Sequence, residues 1–267
     1  RTVRERAPDP APARPAMEST SDQTARRPGP LRGFLLLLPV ACFVLVGAAG
    51  LALFALLTPG STAHRSLPLI HLWGRVPLWA FGVRLEVHGA ERLDEPGAHI
   101  VLFNHVSLLD MFVLASICPH HPVGLYKAEL GRVPGLGWAF RALGMVPVDR
   151  RNHEKALASV AELKRRMDAE HSTVILAPEG TRSRRGGLQQ FKLGSFHLAA
   201  QTGAPVVPLI MRGIPDVLPM GSFLVRSGTV RLDFLEPIDT SDWSAERVRE
   251  HAADVREVFL RYLEPAP

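Results

Sequence analysis

Residues Gly33 to Leu57 read GFLLLLPVACFVLVGAAGLALFALL, 25 positions without a charge. Roughly 20 apolar residues cross the hydrocarbon core of a bilayer, so this stretch is expected to be membrane-embedded, and the rest of the chain must be arranged around it. A cleaved signal peptide has an apolar region of about 7–15 residues nearer its start, which fits this run poorly. Pro39 and three glycines inside it permit a kinked or re-entrant path, because neighbouring groups can satisfy the freed backbone. A second apolar stretch, Leu67 to Phe81, is too short and too interrupted by His71, Arg75 and Pro77 to span alone. Its Trp73 and Trp79 suit a helix at headgroup level. Residues 33–81 are thus expected to be a helical membrane anchor that leaves the remainder on one face. Arg26, Arg27 and Arg32 precede the first segment and Arg65 and Arg75 follow it, which gives no clear orientation by flanking charge.

Residues 1–32, rich in Pro, Ala and Arg and without hydrophobic period, are expected to be a disordered basic tail. The net charge of +5 sits in that tail and in residues 141–192, while residues 193–267 are acidic. A basic stretch of this kind meets anionic headgroups, a phosphorylated ligand or nucleic acid, or is simply a solvated helix face. Two cysteines, Cys42 and Cys118, cannot build a disulfide framework or a cysteine-rich metal site, which favours a reduced compartment.

Beyond residue 82 the pattern alternates short β-branched runs with helical periods. Strands are expected at Leu85–His88, His99–Phe103, Val123–Tyr126, Met145–Val148, Thr173–Ala177, Pro205–Met211 and Thr229–Leu235. A helix over 152–169, capped by Asn152, places residues 156, 157, 160, 163 and 167 on one face. A last helix over about 244–263 aligns Val248, Ala252, Val255, Phe259 and Tyr262. This alternation predicts one α/β domain over 82–267, a mixed central sheet flanked by helices. There is no internal repeat and no Gly-rich phosphate loop, so nucleotide chemistry loses its main support.

Two loops carry the candidate chemistry. Asn104-His105-Val106-Ser107-Leu108-Leu109-Asp110 follows a strand directly, and the carboxylate five residues on can hold the imidazole in one tautomer. Taken alone this is either a general base or a hydrogen-bonded helix start. Ala177-Pro178-Glu179-Gly180-Thr181-Arg182-Ser183 also follows an apolar strand, at the edge where open α/β sheets gather ligands. There Arg182 offers a fork of donors that suits a phosphate, or is a solvated turn residue. Gly144 to Arg150 ends a further strand with a charged pair, and Ala204 to Ile210 is an apolar strand with two prolines, which usually keep to strand starts, edges or bulges.

The order Asn-His-x-Ser-x-x-Asp, Gly-x-x-x-x-Asp-Arg, Pro-Glu-Gly-Thr-Arg-Ser and a Val-Pro strand resembles the lysophosphatidic acid acyltransferases, the PlsC-type glycerolipid acyltransferase family, over about residues 83–235. The run Lys127 to Gly137 extends the likeness, and the apolar N-terminal segments fit a family anchored by a short helical membrane motif. The resemblance implies that His105, oriented by Asp110, takes the proton from a glycerol hydroxyl that attacks an acyl-CoA or acyl carrier protein thioester. It implies that Arg182 grips the acceptor phosphate with Lys127 and Arg150 as helpers, and that Glu179, Gly180 and Thr181 shape the binding loop. Asn104 and Ser107 would brace the first loop, and backbone N–H groups near the start of the following helix would stabilise the oxyanion. The implied partners are the lipid bilayer, a lysophospholipid acceptor and a thioester donor, with no nucleic acid, metal or resident cofactor. The catalytic domain would lie on the cytoplasmic face, where acyl thioesters are found. Val106 stands where close relatives often carry Gln, and Ala177 replaces a common aromatic, which leaves lyso-ornithine lipid, another lysophospholipid or glycerol-3-phosphate open as acceptors. A non-catalytic lipid-binding protein would have no need of the His105–Asp110 pair, and a His/Asp metal hydrolase would need ligands that His120-His121 do not supply.

Overall fold

The computed structural model describes residues 30–57, 62–94, 97–119, 122–133, 137, 140–141, 144–149, 151–182 and 187–263. The basic tail up to residue 29, His120-His121 and Arg150 lie outside the described residues.

Two helices open the fold, α1 (Pro30–Leu57) and α2 (Thr62–Phe81). At 1.5 Å per residue α1 is about 42 Å long. Among the described residues no helix is long and apolar enough to cross a membrane; the unbroken run of described side chains in α1 extends from Phe34 to Gly50. Leu36 and Val40 near the start of α1, and Leu78 and Phe81 at the end of α2, pack into one apolar cluster of the catalytic domain. Both ends of the pair therefore rest on the same body, and α1 and α2 form an antiparallel hairpin. Trp73 seals it. Its indole N–H donates to the Val44 carbonyl at 3.2 Å, and it occupies space that a side chain at Gly47 would fill. Trp73 is thus packed within the hairpin, whereas Trp79 is 79% exposed.

All seven expected strands form, with ends moved by one or two residues: β1 (Val83–His88), β2 (Ile100–Phe103), β3 (Pro122–Lys127), β4 (Val146–Val148), β5 (Thr173–Leu176), β6 (Val206–Arg212) and β7 (Gly228–Phe234). They make one sheet in the order β1-β7-β6-β2-β5-β3-β4, parallel at every pairing except the antiparallel β6–β7. The inner strands read as unbroken apolar runs because both faces are covered. Helices α4 (His153–Glu170), α5 (Gly194–Thr202) and α7 (Val248–Leu263) flank one side of the sheet. The other side carries the hairpin, α3 (Asp110–Ser116) and the short α6 (Ile214–Val217).

Three expectations need correction. Pro208 lies inside a central strand, not at a start, edge or bulge. Its carbonyl accepts from Leu235 N, just past the end of the β6–β7 ladder at Phe234, so the missing N–H falls where that pairing stops. In α4, Leu157 is exposed while Ser159 is buried, its hydroxyl bonded to the Pro147 and Lys155 carbonyls. In α7, Tyr262 leaves the buried stripe formed by Val248, Ala252, Val255 and Phe259, because Leu263, four residues after Phe259, takes the next inward position against the core. The Asn152 cap forms as expected, its side chain accepting from Lys155 N.

Leu163→Ala removes a fully buried side chain and should lower stability by about 2–5 kcal/mol. Leu157→Ala should change it by no more than about 0.5 kcal/mol. Urea unfolding of the detergent-solubilised protein measures both.

Candidate active site

Strands β6, β2, β5, β3 and β4 run the same way, so the loops after them share one edge of the sheet. The two sequence motifs meet there because β2 and β5 are neighbours.

At the end of β2, the Asn104 amide donates to the Met211 carbonyl and accepts from the Met211 N–H, each at 2.8 Å. A side chain thus takes the next rung of the β2–β6 ladder and frees the backbone to turn outward. His105 follows. Its Nδ1 lies 2.6 Å from Asp110 Oδ2, and the same oxygen accepts from Val106 N at 2.9 Å and Ser107 N at 3.1 Å. Asp110 is 1% exposed and opens α3. Its ionised form accepts all three bonds, which commits the Nδ1 proton to Asp110 and leaves Nε2 as the basic nitrogen. The imidazole stands edge-on to Phe103 with ring centroids 5.7 Å apart. Oδ1 of Asp110 is buried without a hydrogen-bond partner among the described residues.

Helix α3 is held from behind by α2. Gly74 lets the two backbones meet where any Cβ would strike Phe112 O and Ser116 N. Arg75 Nε donates to Ser116 O at 3.3 Å, and His71 Nε2 lies 2.9 Å from Cys118 O. The polar residues that interrupt the second apolar stretch therefore tie down the carbonyls at the end of α3, which no helical N–H can reach.

After β5, residues 177–180 form a turn closed by Gly180 N to Ala177 O at 3.0 Å, with Gly180 at φ 71°, a conformation that favours glycine. Glu179 is 2% exposed, and its two oxygens accept from His105 N and Gln189 N, both at 2.9 Å. Burial pushes its pKa up against those two bonds. Glu179 therefore joins the two loops and faces no substrate space. Gln189 also donates to Thr181 O, and Arg256 on α7 donates to the Leu188 and Gln189 carbonyls. Thr181 and Arg182 are exposed at the tip.

The expected helper Lys127 lies farther out, and Arg150 is outside the described residues. Lys127 ends β3, two strands from β2, or roughly 10 Å at about 4.8 Å per strand, and its ammonium is 3.4 Å from Glu129. The backbone N–H groups of His105, Val106, Ser107 and Leu109 are all taken, by Glu179, Asp110, Asp110 and Ser107 Oγ respectively. These four are therefore not free for an oxyanion, which leaves the N–H groups at the start of α3 itself as the expected donors. Ser107 is buried, its hydroxyl serving the loop and the Leu218 carbonyl. Burial pushes the Cys118 thiol up to about 12, which keeps it protonated and unreactive. Among the described residues no group of three or more His, Cys, Asp or Glu side chains is placed to hold a metal ion. Sequence reasoning missed Gln189, Lys192 and Arg256, which stand in or against the segment after the second motif; only their nearness to it in the chain pointed to the first two.

A base with its second nitrogen left free of Asp110 and a cation at the neighbouring loop tip suit a transferase that activates an incoming hydroxyl. The Acyltransferase family model matches residues 84–212. The 1-acyl-sn-glycerol-3-phosphate acyltransferase of Limnanthes douglasii is 32% identical over 193 residues, covering 72% of this chain and 68% of that protein. The Escherichia coli (strain K12) enzyme of the same name is 30% identical over 227 residues, covering 85% and 90%. The crystal structure of the 1-acyl-sn-glycerophosphate (LPA) acyltransferase PlsC from Thermotoga maritima matches with a TM-score of 0.71 and 27% identity, over 88% of this chain and 99% of that one. The chain belongs to the 1-acyl-sn-glycerol-3-phosphate acyltransferase family.

Asn104→Ala leaves the N–H and C=O of Met211 unpaired. At about 1–3 kcal/mol for each orphaned group, the expected loss is about 2–6 kcal/mol, read from denaturant unfolding.

Proposed function

We propose that this protein moves a fatty acyl group from an acyl thioester, acyl-CoA or acylated carrier protein, onto the free hydroxyl of lysophosphatidic acid to give phosphatidic acid. The 2.6 Å contact between His105 Nδ1 and the buried Asp110 carries the reading, because it sets the imidazole up as a one-sided base. Nε2 takes the hydroxyl proton as the oxygen attacks the thioester carbonyl. The C–S bond then breaks, the acyl–oxygen ester remains on the acceptor, and the imidazolium returns its proton to the departing thiolate. Asp110 stabilises the imidazolium in between. No acyl-enzyme forms and no metal or resident cofactor takes part. Arg182, exposed at the tip of the second loop, binds the acceptor phosphate, helped by Lys127 farther along the same edge and by Arg150. The acceptor identity rests on the names of the relatives; lyso-ornithine lipid, other lysolipids and glycerol-3-phosphate are the comparison substrates.

The α1–α2 hairpin is the membrane anchor. Phe34, Leu35, Leu38, Leu45, Val46, Leu53 and Leu57 are all exposed along α1, more apolar surface than a helix facing water leaves bare. With both hairpin ends on the catalytic domain, the hairpin enters and leaves the bilayer from one face, the cytoplasmic one where acyl thioesters are made.

Thiol release from acyl-CoA, with lysophosphatidic acid as acceptor, should fall by about 10²–10⁴ in kcat for His105→Ala. Equal activity in that variant, or no turnover with any acceptor and either donor, would leave lipid binding as the better reading. In co-sedimentation with vesicles, Leu38→Arg combined with Val46→Arg should release the protein into the supernatant, since each buried charge costs about 2.5–3.5 kcal/mol.

A further inference from the structure

Helix α5 connects β5 to β6 and begins on the same edge as the His105 loop. Its N-terminus has no side-chain cap and no acidic residue in the first turn. The first N–H groups of any helix lack partners within it and carry partial positive charge. Two side chains add to that character. Lys192 stands just before the helix. Its backbone N–H donates to Pro178 O at 2.6 Å, and its Cγ lies 3.3 Å from the position a Cβ on Gly180 would occupy. The lysine stem therefore runs across the turn that leads to Arg182, and among the described residues its ammonium has no carboxylate partner. Ser195, on the first turn, shares a helix face with the fully buried Leu198 and Ala199 and so points inward beneath the helix start. It is 6% exposed, and its Oγ is buried with no hydrogen-bond partner among the described residues. A buried hydroxyl in that state loses about 1–3 kcal/mol unless something bonds to it. The whole segment is fixed, because Glu179 holds Gln189 N and Arg256 holds the carbonyls of Leu188 and Gln189.

We infer that Lys192, the uncapped N-terminus of α5 with Ser195, and Arg182 form one preorganised anion site that takes a phosphate group, placed by Glu179 relative to His105. The inference deepens the reading above and rests on it for the choice of ligand. Two sources of that chemistry meet at the site, the phosphomonoester of the acceptor and the phosphates of a CoA thioester. A helix N-terminus with one serine and one lysine suits a compact tetrahedral anion, donating N–H, O–H and ammonium groups to separate oxygens. Arg182 follows the Gly180 turn by two residues and is exposed. Lys192 is then a binding residue of the reaction that the four sequence motifs do not contain.

Isothermal titration of the full chain in detergent, once with glycerol 3-phosphate and once with CoA, tests the site without requiring turnover. Lys192→Met should weaken binding of one probe about tenfold, the scale of one charge-assisted hydrogen bond, while Lys192→Arg stays within about threefold. Ser195→Ala should weaken the same probe about two- to fivefold. Loss for glycerol 3-phosphate alone assigns the site to the acceptor, and loss for CoA alone assigns it to the donor. Binding of both probes to Lys192→Met as to the unaltered chain, with an unchanged melting curve, overturns the site, as does failure of the unaltered chain to bind either probe. If binding depends on Lys192 yet no thiol is released with any acceptor, the anion site stands and the acyl-transfer reading falls.

Discussion

One oxygen atom organises the reacting end of this protein. Asp110 Oδ2 collects the imidazole Nδ1 and the N–H groups of Val106 and Ser107, so a single buried carboxylate sets both the tautomer of the base and the path of the loop that carries it. A carboxylate oxygen has the lone pairs to accept from several donors at once, and Asp110 is nearly inaccessible, so these bonds are made away from water. The arrangement carries a stability cost, because the other oxygen is buried and unpartnered. Local destabilisation of this sort gathers where a site must be held in a fixed geometry.

The shell around that atom consists of side chains bonded to backbone. Asn104 replaces a rung of the sheet, and Glu179 bridges the two loops through their N–H groups. Arg75 and His71 on α2 bind carbonyls at the end of the helix that Asp110 begins. The hairpin that presents apolar surface outward is thus mechanically continuous with the base. Close passage at Gly74, with the Trp73 ring tilted against Phe112 at 5.1 Å between centroids, makes that contact backbone to backbone. Movement of the hairpin relative to the sheet would be felt at α3 before any other part of the site.

Strand positions were legible in the sequence because each strand is a short apolar run between turn residues, and a buried parallel sheet imposes that pattern without help from elsewhere. The pairing of His105 with Asp110 was legible for a similar reason, since five residues across a tight turn leave few other partners. What could not be read were contacts between distant residues. The burial of Ser159 depends on the Pro147 carbonyl, which belongs to a separate strand. Arg75 and His71 read as interruptions of an apolar helix, yet their role is set by α3, over 40 residues later. Glu179 sat in a recognised motif, but only the fold shows that its carboxylate faces inward, toward two backbone N–H groups. The availability of backbone donors near His105 was likewise invisible, because it depends on which N–H groups Asp110 and Ser107 had already claimed.

The first strand of the sheet, β1, pairs only with the last, β7, and the last helix holds the segment behind the second loop. A chain emerging from the ribosome presents its apolar hairpin early and lacks these closing pieces until nearly the end of synthesis. With the hairpin as the anchor proposed above, contact with lipid would precede the completion of chemistry, and a truncated product would reach the bilayer as an inert passenger rather than as a partly active enzyme.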